Sequence, residues 1–113
     1  MIEPAYYQAG AKYLSGSATD VWGTMPGISL HTELMLLHTQ AGLYIEETLA
    51  AATVNFSIAF DWNIGRIKPG FEADLLILNS NPLDDIANLT DIDQMFSNGK
   101  FIDRHALLQP NED

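Results

Sequence analysis

The residue best placed to do chemistry is Asp20. Ala11 to Ala18 reads as a short strand that ends in Thr19-Asp20 and passes into the loop Gly23-Thr24-Met25-Pro26-Gly27. A strand fixes the direction of a carboxylate at its end, which is a common way for an α/β protein to present an acid to a ligand. No second carboxylate and no histidine stand nearby upstream to share a metal or a proton with it. The competing reading is a loop cap, in which the carboxylate accepts hydrogen bonds from loop N–H groups. His31 and His38 are seven residues apart and share a helical face, but two turns separate them by about 10 Å along the axis. A zinc–nitrogen bond is only about 2 Å long, so the pair reads as helix-surface or interface residues. His105 lies in a polar stretch near the tail with no evident partner. Gly-rich phosphate cradles and catalytic nucleophile motifs are absent.

The elements that must position Asp20 follow from periodicity. Glu3 to Gly10 reads as a short helix or turn ahead of the strand. Gly23, Pro26 and Gly27 punctuate Val21 to Ser29 as a loop. From Leu30 the apolar period becomes helical, with Leu30, Leu34, Leu37 and Ala41 on one face and Gly42 as a stop. A second helix is predicted from about Ile45 to Ala59, burying Ile45, Leu49, Ala52 and Phe56. Its Leu49-Ala50-Ala51-Ala52 run allows close approach by another element. The helix start carries half a capping box, Glu47 without a Ser or Thr partner, since Tyr44 stands three residues before it. Beyond Phe60, Lys68-Pro69-Gly70 fits a type II turn. Ala73 to Leu78 is apolar except for Asp74 and reads as a central strand covered on both faces. Ile92 to Phe96 and Lys100 to Ile102 flank Asn98-Gly99, a dipeptide that favours the type I′ hairpin. Gln109 to Asp113 reads as a frayed tail.

Composition narrows the function classes. The 113 residues suffice for one domain with a modest core. Hydrophobic residues make up 47% against 18% charged, which argues for a folded chain. A net charge of -10, from 15 acidic against 5 basic residues, repels phosphate backbones and anionic membranes. Nucleic-acid and membrane partners are therefore not expected. The absence of cysteine excludes disulfides and thiolate metal sites, and it fits a cytoplasmic location. Ile2-Glu3-Pro4 is too polar to begin a signal peptide.

Taken in order, the pieces Gly16-Ser17-Ala18-Thr19-Asp20, Pro26-Gly27-Ile28-Ser29-Leu30, Glu33-Leu34, Ala41-Gly42-Leu43, Glu47-Thr48-Leu49, Ala52-Thr53, Asn55-Phe56, Gly65-Arg66-Ile67-Lys68-Pro69-Gly70, Ala73-Asp74-Leu75 and Asn98-Gly99-Lys100 carry a resemblance. Over Tyr13 to Arg104 the chain resembles the C-terminal end of metal-dependent amidohydrolases, in particular the imidazolonepropionase-like and prolidase-like members. The resemblance implies an incomplete α/β fold. Residues 1–60 would be the end of a (β/α)8 barrel, its eighth strand and following helices, and residues 61–113 the C-terminal part of a small β-sandwich. It also implies a role for Asp20 as ligand to a divalent metal, zinc or similar, and as acceptor of the proton from the attacking water. The family's other ligands, a His-x-His pair, a carboxylated lysine or glutamate and two further histidines, belong to earlier strands absent from this sequence.

The resulting expectation is a fragment of a hydrolase of C–N bonds in amides, cyclic amides or dipeptides, inactive alone and binding no metal by itself. Strands and an apolar helix face left without neighbours predict self-association as a homodimer. The rival readings are a small stand-alone structural or interaction protein that oligomerises, and a small-molecule binding module, for which no convergent polar cluster is visible.

Overall fold

A computed structural model describes residues 3–18, 25 and 27–109. Four helices precede a three-stranded antiparallel sheet: α1 (Glu3–Gln8), α2 (Ile28–Thr39), α3 (Ile45–Ala51), α4 (Val54–Phe60), then β1 (Leu75–Leu78), β2 (Ile92–Ser97) and β3 (Lys100–Ile102), with α5 (Arg104–Leu108) closing the described chain. A 3-10 helix, Ile86–Thr90, lies between β1 and β2. It and α5 were not legible in the periodicity. Each is capped by an aspartate, with Asp85 Oδ1 accepting from Ala87 N at 2.9 Å and Asp103 Oδ1 from Ala106 N at 3.1 Å.

The α2 stripe buries Leu34, Leu37 and Ala41 as expected, whereas Leu30 stays exposed. These residues pack with Leu43, Ala51 and Ile86 into one core cluster, with Tyr7, Tyr13, Ile45, Ala52 and Leu89 around it. Ile86 and Leu89 belong to the 3-10 helix, so that short element ties the sheet to the helices. Each fully buried Leu or Ile contributes roughly 1.5–3 kcal/mol.

The single helix expected over Ile45 to Ala59 is two helices. Its buried stripe is Thr48, Ala51 and Asn55, one residue off the predicted face of Ile45, Leu49, Ala52 and Phe56, which are only partly buried. The break has a hydrogen-bonding cause. In a continuous helix the Ala51 carbonyl would accept from the N–H of Asn55. It accepts instead from Ser15, from the backbone N at 2.9 Å and from Oγ at 3.2 Å. The neighbouring terminal carbonyls turn inward, with Thr53 Oγ1 donating to Leu49 O at 2.7 Å and Thr53 N to Ala50 O at 3.2 Å. Thr53 leaves the helical region at φ -135°, ψ -97° and begins α4.

The sheet order is β1-β2-β3. β2 is central, and β1 is an edge, not the doubly covered central strand that its apolar run suggests. Leu76 and Ile77 are accordingly exposed. A continuous apolar run reports that a strand is meant to be covered, not what covers it. β1 pairs Leu75 with Phe96 and Leu76 with Met95, then shifts register between Ile77 and Leu78. The β2–β3 hairpin forms as expected. Met95 faces Ile102, Ser97 faces Lys100, and both turn residues have positive φ, 51° at Asn98 and 75° at Gly99. The Pro69-Gly70 turn also forms, with Phe71 N donating to Lys68 O at 3.1 Å and Gly70 at φ 85°.

Candidate functional site

Asp20 lies outside the described residues, so the path to it is traced through residues 11–18. This segment is not a strand of the described sheet, contrary to the expectation for Ala11 to Ala18. A strand requires a ladder partner, and here residues 13 and 15 bond to helices. Asn55 is 4% exposed and donates from Nδ2 to the Tyr13 carbonyl at 2.9 Å. Ser15, also buried, makes the two bonds to Ala51 described above. Ala51 is 0% exposed, and its methyl-sized side chain permits the backbones to come this near. Residues 13 and 15 are thus pinned to the α3–α4 junction, a few residues before Thr19-Asp20. An exposed ion pair, Lys12 Nζ to Glu47 Oε2 at 3.7 Å, adds little.

Ahead of α2, Gly27 enters the helix with φ 81° and Met25 N donates to Ser29 Oγ at 2.6 Å. His31 and His38 occupy α2, as predicted. His38 Nδ1 is 2.7 Å from the Leu43 carbonyl, a bond that fastens the end of α2 to the turn before α3. His31 Nδ1 is closed off from solvent without a hydrogen-bond partner among the described residues. His105, in α5, is exposed.

Among the described residues no group of three or more His, Asp or Glu side chains could hold a metal ion. The described donors therefore do not fit a complete metal centre. Three concave features stand out among the described residues, and Arg66, Lys68 and Glu72 line one of them together. One, of about 340 Å³, is lined by Tyr7, Gln8, Gln40, Ala41, Gly42 and Tyr44. Another of about 230 Å³ lies against Lys12, Leu14, Asn55, Ile58 and Ala59. A third of about 240 Å³ lies along Arg66 to Leu75, where Lys68 Nζ sits 5.5 Å from the Phe71 ring centroid. No helix among the described residues is long and apolar enough to cross a membrane.

Sequence reasoning missed Ser15 and Asn55 as positioning residues. Both are polar residues bordering apolar runs, and that is the only signal that could have marked them. It also left Asp74 as an interruption in an apolar strand, whereas its Oδ1 accepts from Asn98 N at 2.7 Å and holds the hairpin turn.

Comparison with known proteins places these elements. A model of the amidohydrolase family matches residues 5–102. A crystal structure of a provisionally assigned prolidase from Bifidobacterium longum superposes with a TM-score of 0.80 at 36% identity, covering 90% of this chain and 25% of that one. The crystal structure of the A. niger ochratoxinase gives 0.75 at 26% identity, covering 88% of this chain and 23% of that one. The chain thus spans about a quarter of the length of these structures. No curated protein matches it. With a family match over residues 5–102 and about a quarter of the larger chains covered, the chain belongs to the amidohydrolase family, of whose fold it holds an incomplete part.

Proposed function

We propose that this chain is the C-terminal portion of a metal-dependent hydrolase of C–N bonds, amide or cyclic amide, of the prolidase-like or imidazolonepropionase-like kind. In this reading residues 1–60 end the barrel domain and residues 61–113 supply a β-sandwich segment. Asp20 is the one catalytic carboxylate and metal ligand the chain contributes, and the isolated chain is an inactive, cytoplasmic, self-associating fragment. The observation that carries the proposal is the 36% identity to the Bifidobacterium longum protein over 90% of this chain but only 25% of that one. The bonds from Ser15 and Asn55 support it, since they anchor the backbone leading to Asp20 on the α3–α4 junction. A metal site needs several donors fixed at once, and the described residues offer no such group.

The test is hydrolysis of acyl-dipeptides and cyclic amides by the 113-residue chain with zinc or manganese added. No turnover is expected. Turnover that disappears in Asp20→Asn would overturn the inactive-fragment reading, because the chain would then hold a complete site. In a complete protein carrying these residues, Asp20→Asn should abolish hydrolysis, and retained activity would remove Asp20 from the mechanism.

A further inference from the structure

The Asn98-Gly99 turn carries a chemistry separate from hydrolysis. An exposed Asn followed by Gly is the dipeptide in which the next residue's backbone nitrogen most readily attacks the side-chain amide, because glycine offers no steric shield. Here that nitrogen is engaged. Gly99 N donates to the Ala73 carbonyl at 3.0 Å, and the preceding N–H, that of Asn98, donates to Asp74 Oδ1 at 2.7 Å. Two adjacent residues ahead of β1 therefore clamp both turn amides, and both turn residues are held at positive φ. Ring closure needs the Gly99 nitrogen free of its proton and swung onto Asn98 Cγ, which the clamp opposes.

We propose that Asn98 is a spontaneous deamidation site whose rate is set by opening of the Asp74–Ala73 clamp. In the reaction the Gly99 nitrogen loses its proton to solvent and forms a bond to Asn98 Cγ, Nδ2 takes a proton from water, and the Cγ–Nδ2 bond breaks with release of ammonia. Water then adds to either carbonyl of the resulting cyclic imide and opens it to aspartate or isoaspartate. No electrons change hands. Isoaspartate places an extra methylene in the main chain of a two-residue turn, which is incompatible with the Ser97–Lys100 pairing that the turn closes. Aspartate puts a second carboxylate beside Asp74 in a chain already at -10. Deamidation would thus loosen the hairpin from its tip, as a timed loss of this sheet.

The experiment is peptide mapping by mass spectrometry of the full 113-residue chain aged at mildly alkaline pH, folded and in urea, with isoaspartate resolved from aspartate. The folded chain should lose Asn98 at least about tenfold more slowly than the unfolded chain. Asp74→Ala should accelerate the folded-state loss about tenfold, as expected for removing a hydrogen bond to a charged acceptor. Asp74→Asn, which keeps an oxygen acceptor, should restore most of the protection. Equal rates for folded and unfolded wild type would overturn the proposal. So would an Asp74→Ala chain that keeps its far-UV circular dichroism and deamidates no faster than wild type. The wild-type comparison stands by itself should Asp74→Ala not fold.

Discussion

Gly65 is the position at which the fold should tolerate a single added carbon least. A Cβ built there would lie 2.5 Å from both the carbonyl carbon and the oxygen of Thr53 and 2.9 Å from Val54 N. Ordinary carbon contacts lie at about 3.5–4.0 Å. All three atoms are backbone at the α3–α4 junction, so no side-chain rotation relieves the overlap. The residue also sits at φ 71°. A left-handed backbone costs a non-glycine residue about 1–2 kcal/mol, and overpacking adds about 1–3 kcal/mol. Gly65→Ala should therefore destabilise by about 2–5 kcal/mol, against a total of roughly 6–17 kcal/mol for a domain of this length. Gly70 supplies the control, since it has φ 85° but nothing within 4 Å of its would-be Cβ. Gly70→Ala should show the conformational cost alone, about 1–2 kcal/mol. Urea unfolding followed by far-UV circular dichroism measures both, with stability read from midpoints at unchanged slope. Equal losses in the two variants, or a smaller loss at Gly65, would refute the claim that the loop backbone is pressed onto the helix break.

Asn55→Ala should cost about 1–3 kcal/mol by removing a buried side-chain bond to the Tyr13 carbonyl, and it should speed proteolysis within residues 11–18; a neutral substitution would show that this bond does not hold the segment. Sedimentation equilibrium at micromolar concentration and ~0.15 M salt should find the chain above its 12.5 kDa monomer mass, because screening at about 8 Å limits the repulsion of its acidic surface. A clean monomer there would sink the self-association reading.

Turn chemistry was the most legible part of the sequence because it is local. Asn98-Gly99 and Lys68-Pro69-Gly70 each encode their own backbone angles, and both turns form as read. The α2 face was legible for the same reason, since its burial depends on a repeat within one helix. The break between α3 and α4 was not. It depends on the Ala51 carbonyl being taken by Ser15, 36 residues away in sequence. No periodicity within Ile45 to Ala59 encodes that competitor. The metal role proposed for Asp20 rests on the resemblance, because a lone carboxylate after an apolar run is chemically ambiguous.

The edge position of β1 follows from the same distinction between local and distant determinants, and it explains the surface of this chain. Among the described residues six apolar side chains make up the buried core, while Ile58, Phe60, Trp62, Leu76, Ile77 and Phe101 are exposed and Ile67 is 91% exposed. Phe60 and Trp62 stack at 4.7 Å without becoming buried. The radius of gyration, 15.4 Å, exceeds the roughly 13 Å of a compact domain of this length. A chain selected to fold alone would place such residues inside, because exposing them forgoes the largest favourable term in folding. Their sequence pattern instead suits a surface meant to be covered, and the structures this chain matches are about four times longer. The proposed chemistry rests on the same footing: the Ser15 and Asn55 bonds fix residues 13 and 15 on the α3–α4 junction, and the described residues alone group no set of metal donors.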